Sequence, residues 1–88
     1  MTKDEFQRIS KAVADPTRFK LLQEIAANDN CTCSEIKDDL SVSAATLSHH
    51  LRELQEAGLV QVERDGRFVR MTLDRDMWKT YLKELSRL

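Results

Sequence analysis

The chain is poor in residues that break regular backbone: it has two glycines and one proline in 88 residues. Left-handed turns and hard helix stops therefore have few places to fall, and each such residue marks a boundary. Two cysteines, Cys31 and Cys33, are too few and too close to build the disulfide framework of a small secreted domain. No apolar run approaches the ~18–20 residues of a membrane-spanning helix, so no membrane partner is expected. Met1-Thr2-Lys3-Asp4-Glu5 has none of the apolar character of a secretory signal, and the expectation is a cytoplasmic chain with reduced thiols. An excess of positive charge is also missing: 14 Lys and Arg stand against 15 Asp and Glu, for a net charge of −1. No general field draws this chain to a polyanion, so binding of one needs a local patch. What remains is 41% apolar and 33% charged, a globular composition, without repeats or low-complexity linkers. The length allows one domain, residues 1–88. Domains this small bury only about 60–65% of their unfolded surface, and association with a second copy would help.

The most informative stretch is Leu40 to Gly58. Ser43 is suited to cap a helix, its hydroxyl accepting a first-turn N–H. Leu47, Leu51 and Leu54 recur at i, i+4 and i+7 as one buried face. Gly58 can end the helix in the left-handed conformation, with Leu59 folding back as its apolar contact. The other face carries Ala44, Ala45, Ser48, His49, Arg52 and Gln55: small side chains first, then hydrogen-bond donors. A helix entering a major groove needs that order, because small residues let its first turn approach base edges and longer donors then reach bases or phosphates. The same pattern also suits an ordinary amphipathic helix with a solvated face.

In chain order, Phe6, Ile9 and Val13 predict a helix over Asp4–Ala14. Asp15-Pro16 breaks and restarts the chain, Asp15 as N-cap and Pro16 at the first helical position. The second helix runs from Pro16 to about Ala27, with Phe19, Leu22, Ile25 and Ala26 as its core stripe. After the Asn28-Asp29-Asn30 loop, Thr32-Cys33-Ser34-Glu35 is a capping-box sequence that opens a short helix through Leu40, burying Ile36 and Leu40, with Cys31 and Ile36 as its staple. Past Gly58 the period changes to two: Val60, Val62, Val69 and Met71 alternate around Asp65-Gly66, a two-residue hairpin signal. That register sets Arg64 opposite Arg67, a like-charge pair that an anionic partner would relieve. Arg70 adds a third cation. Trp78, Tyr81, Leu82 and Leu85 predict a last helix over Asp74–Leu88. The apolar stripes at both ends of the chain are expected to pack on each other and on a second subunit.

The predicted architecture is mainly α with a β-hairpin wing, a winged helix-turn-helix of order α-α-α-α-β-β-α. Ala14-Asp15-Pro16-Thr17-Arg18, Ser43 through Leu51 with Ser48-His49-His50-Leu51, Glu56-Ala57-Gly58-Leu59-Val60 and Arg64-Asp65-Gly66-Arg67 resemble one family closely, the ArsR/SmtB bacterial transcriptional repressors. The resemblance covers nearly the whole chain. It implies a homodimer that binds double-stranded operator DNA, with first and last helices at the dimer interface and release by a ligand or metal that the sequence does not identify. Carried to this sequence, it implies DNA contacts by Ser43, Ala44, Ala45, Thr46, Ser48, His49 and Arg52, and by Arg64 and Arg67 at the wing. The dimer-interface candidates are Phe6, Ile9, Trp78, Tyr81, Leu82 and Leu85. Two positions depart from the pattern. Ser41 stands where glycine is common, which makes a left-handed turn dearer. Ala44 replaces a common glutamine, which removes one polar base reader and shifts weight to thymine methyls or DNA shape.

Metalloid sensors of this family often carry Cys-x-Cys at the start of the third helix. Cys31 and Cys33 lie one residue upstream of those positions, which Thr32 and Ser34 occupy instead. The pair is a candidate for a soft metal or metalloid, yet trivalent arsenic wants three thiols and zinc four ligands. Packing as small hydrophobes and thiol redox are the alternatives. No required cofactor is expected. The family's last-helix zinc site needs histidine, and Asp74, Asp76 and Glu84 come without one. His49 is expected to face DNA, and His50 to be half-buried against a backbone group or phosphate. No acid/base pair, nucleophile constellation or phosphate loop points to an enzyme. The rival reading is a winged helix that binds other proteins and no DNA.

Overall fold

The computed structural model describes residues 1–36 and 40–88. Its elements are α1 (Lys3–Ala14), α2 (Pro16–Ala27), β1 (Cys31–Thr32), α3 (Cys33–Leu40), α4 (Ala44–Glu56), β2 (Val60–Asp65), β3 (Phe68–Leu73) and α5 (Arg75–Ser86). All five helices open on a residue whose side-chain oxygen accepts a first-turn N–H, because the first N–H groups of a helix have no partner within it. Thr2 and Glu5 form a reciprocal capping box on α1. Asp15 caps α2 with Pro16 just inside, Thr32 caps α3, Ser43 caps α4 and Asp74 caps α5.

Ser41 joins α3 to α4 at φ 53° and ψ 40°, so the helix-turn-helix is closed by a left-handed serine. At the far end of α4 the Leu59 N–H donates to the Leu54 carbonyl at 3.1 Å and the Gly58 N–H to that of Gln55 at 3.0 Å, with Gly58 at φ +81°. This is a Schellman ending, and its apolar contact is made by Leu54 and Leu59, both fully buried.

Two expectations are corrected. Cys31 and Thr32 are not merely the staple and cap after a loop; as β1 they add a third strand to the hairpin, giving antiparallel order β1-β3-β2 with Cys31 opposite Met71. Two residues are too short to show a period. Cys31 and Ile36 are nonetheless both buried at the start of α3. The hairpin register is also one residue off. Asp65 pairs with Phe68 and Arg64 with Val69, so the loop is Gly66-Arg67, not Asp65-Gly66. Only Gly66 has positive φ there (+61°), the requirement of a type II′ turn, whereas the Asp-Gly reading needs both loop residues left-handed. Arg64 and Arg67 therefore do not oppose each other.

One core holds these elements together, with Ile9, Leu21, Ile25, Ile36, Leu54, Leu59 and Met71 fully buried at its centre. α1 and α5 pack on each other as expected: the Phe6 and Tyr81 rings lie 5.4 Å apart, and Ser10 Oγ is 2.9 Å from the Tyr81 hydroxyl.

Candidate nucleic-acid interface

Helix α4 divides cleanly. Leu47, His50, Leu51 and Leu54 are buried, while Ala44, Ala45, Thr46, Ser48, His49 and Arg52 are exposed. The Ser43 hydroxyl accepts the Thr46 N–H at 3.1 Å and can donate to Thr46 Oγ1 at 2.9 Å. The Thr46 hydroxyl proton is then free to point outward, beside a helix N-terminus that favours an anion.

The wing sorts its charges by face. Because side chains alternate along a strand, Val60, Val62 and Arg64 share one face of β2, and Gln61, Glu63 and Asp65 the other. Arg64 faces α4. With Ser48, Leu51, Arg52, Gln55, Cys33, Val62 and Val69 it lines a groove of about 270 Å³ between helix and wing. On the opposite face Glu63 pairs across the strands with Arg70, and Arg70 Nε donates to Asp65 at 3.3 Å. Arg70 is thus engaged within the hairpin. Arg67 is exposed at the tip, its guanidinium 5.7 Å from the centre of the Phe68 ring. A chain of net charge −1 thereby sets two arginines, Arg52 and Arg64, on one groove and keeps the wing's carboxylates on the other side.

His50 is buried more deeply than the half-burial expected of it, and its partner is neither backbone nor phosphate. Arg18 Nε donates to His50 Nδ1 at 3.4 Å, which requires the imidazole proton on Nε2. The same guanidinium reaches the carbonyls of Lys11 and Ala12, each at 3.4 Å. The corner between α1 and α2 is thus tied to the inward face of α4. The Arg18 N–H donates to Asp15 at 2.9 Å and is the main cause holding the Asp15 carboxyl below its usual range. A pair 32 residues apart leaves no periodic signal, so the sequence could not supply it.

Cys31 is buried with its thiol 3.9 Å from the Met71 carbonyl, and Cys33 is half-buried with its sulfur 3.8 Å from that of Met71. Burial pushes both thiols up, the reverse of what a helix N-terminus alone would do to Cys33. Among the described residues, no three His, Cys, Asp or Glu side chains gather where they could hold a metal. Both sulfurs pack against Met71, the way free cysteines fill a core as small hydrophobes.

Of the residues expected between subunits, Leu82 and Leu85 are exposed, Phe6 and Trp78 half-buried. Ile9 and Tyr81 are enclosed within the single chain.

A family model described as a helix-turn-helix domain matches residues 13–63, which span α2 to the middle of β2. An uncharacterised HTH-type transcriptional regulator of Methanocaldococcus jannaschii is 40% identical over 58 residues, covering 66% of this chain and 65% of that one. A transcriptional repressor SmtB homolog of Synechocystis is 34% identical over 76 residues, covering 83% of this chain and 57% of that one. The solved structure of an ArsR-like transcriptional regulator from Rhodococcus superposes with a TM-score of 0.85 at 27% identity, over 96% of this chain and 78% of that one. The chain belongs to the ArsR/SmtB family. Its five helices and small antiparallel sheet are the family's winged helix-turn-helix, with α3 and α4 as the two helices of the motif and β2–β3 as the wing. ArsR/SmtB proteins are transcriptional regulators and not enzymes. This one spans under two thirds of the length of the Methanocaldococcus and Synechocystis relatives. No helix among the described residues is long and apolar enough to cross a membrane.

Proposed function

We propose that this chain is a homodimeric transcriptional repressor that binds a pseudopalindromic DNA operator through α4 and the wing. The observation that carries the reading is the groove between them, with Arg52 on one rim and Arg64 on the other beside the small-residue face of α4. Ala44, Ala45, Ser48 and His49 read base edges in the major groove, Ala44 and Ala45 through thymine methyls. Ser43 positions the first turn, where the Thr46 hydroxyl takes a phosphate. Arg52 and Arg64 clamp the sugar–phosphate strand that runs between helix and wing. Arg67 extends the wing toward the minor groove.

Two-fold symmetry brings two α4 helices to successive major grooves about 34 Å apart. Exposed Leu82 and Leu85, with half-buried Phe6 and Trp78, supply the apolar surface of the dimer, and Ile9 and Tyr81 support it from within. Cys31 and Cys33 act as packing residues against Met71. The cellular compartment is the cytoplasm, where the DNA is.

Replacing Arg64 and Arg67 together by alanine tests the reading. Binding to every duplex should weaken, and the slope of log affinity against log salt should flatten by roughly one unit for each phosphate that is no longer neutralised. An unchanged slope would remove the wing from the interface.

A further inference from the structure

The apolar stripe of α2 is only partly covered. Leu22 and Ile25 are buried, but Phe19 and Ala26 are half-exposed. Between them lies a cleft of about 200 Å³. Phe19, Leu22, Gln23 and Ala26 form one wall; Leu73 at the end of β3 and Trp78 on α5 form the other. Arg75 holds the walls together, its guanidinium donating to the Ala26 carbonyl at 3.0 Å and fastening the first turn of α5 to the last turn of α2. Gln23 is the one polar side chain in the lining, and no charged side chain takes part.

We propose that this cleft binds one small, uncharged aromatic molecule, a single ring or a compact fused pair, with one hydrogen-bonding group directed at Gln23. Size sets the first limit. An engineered apolar cavity of about 150 Å³ holds benzene, and sites for drug-sized ligands begin near 300 Å³, so this open cleft has room for one small ring system. Charge sets the second: an ionised ligand would lose hydration with no partner in the walls. Phe19 and Trp78 favour a ring over an aliphatic of equal volume, through stacked or edge-to-face contact. The site lies away from the groove between α4 and the wing, so binding here does not depend on the DNA reading; it shares Trp78 with the dimer surface proposed above, and for that reason the oligomeric state is followed in the test.

Trp78 is the only tryptophan and reports on the cleft directly. The test titrates the full chain with p-cresol, neutral at pH 7, and follows tryptophan fluorescence and calorimetric heat, with sedimentation fixing the oligomeric state. A saturable response with half-saturation at or below about 1 mM and one molecule per chain is expected. Ala26→Leu fills the cleft and should weaken binding at least about tenfold with the fold retained. Gln23→Leu, on a side chain largely in solvent, covers the case in which that variant fails to fold: it should weaken p-cresol and leave toluene unchanged. A linear, non-saturating response, equal weakening of p-cresol and toluene, or binding that vanishes as chains associate would overturn the proposal. The last result would mean that a second copy covers the cleft.

Discussion

Asp15 shows how much one residue carries. It caps α2, and through the backbone and guanidinium of Arg18 it belongs to a corner that reaches His50 on the inward side of α4. The capping role was legible from Asp15-Pro16, because both residue types are dictated by local backbone needs. The link to His50 was not, because nothing local demands it. The depressed carboxyl makes a pH prediction. A group whose folded pKa lies below its unfolded value adds stability above that unfolded value, ordinarily near 3.8, and loses it as pH falls through the folded one. Asp15→Asn keeps a capping oxygen and removes the titration. Its stability deficit, from urea melts at a series of pH values, should be present above about pH 4 and shrink toward zero in stronger acid. A constant deficit across that range would mean that the ionised form contributes nothing.

At the scale of elements, the left-handed positions decide where each segment stops. Ser41 is in this region without glycine's freedom, so Ser41→Gly should leave stability unchanged or raise it by at most about 1 kcal/mol, the relief of strain being offset by the looser unfolded chain. Gly58→Ala should cost about 1–2 kcal/mol for φ +81° alone, and its new Cβ would also meet Met77 Cε at 3.4 Å. Thermal melts would show that as a fall of about 4–8 °C per kcal/mol. A destabilised Ser41→Gly or an unaffected Gly58→Ala would contradict these turn assignments. All five helices, the caps at Asp15, Thr32 and Ser43 and the Gly58 ending were readable because each rests on a local pattern, whereas the Thr2 capping box that opens α1 was not read. The hairpin was readable in existence but not in register: Asp65-Gly66 and Gly66-Arg67 are both acceptable two-residue loops, and only backbone geometry separates them. That one-residue slip changed the site. It replaced an expected Arg64–Arg67 repulsion with a charge-sorted wing in which Arg64 shares a groove with Arg52. β1 escaped notice because its partner, β3, lies 40 residues away and its own two residues have no period.

At the scale of the molecule, an 88-residue chain leaves Leu82 and Leu85 at 45% and 39% exposure on one helix, more apolar surface than a lone α5 needs to keep. If the proposed dimer forms through α5, Leu82→Glu with Leu85→Glu should give a folded monomer in sedimentation equilibrium, since neither side chain belongs to the buried core, and affinity for a two-half-site duplex should fall because two half-sites no longer bind as one. A double variant still dimeric at the same concentration would place the interface elsewhere. The α4 face was legible as a sequence pattern, whereas the surroundings of Cys31 and Cys33 were not: packing was the favoured reading of Cys31-Thr32-Cys33, but their common neighbour Met71 lies on β3, about 40 residues away, and leaves no local signal.

Near-neutral in total charge, this fold is proposed to read DNA through the local groove that Arg52 and Arg64 line. Fluorescence anisotropy of a labelled duplex from upstream of the protein's own gene, against a scrambled duplex at two salt concentrations, tests it most directly. Tight binding that prefers the upstream duplex and weakens steeply with salt is expected. No binding to either duplex at low salt would contradict it and leave the fold as a protein-interaction module.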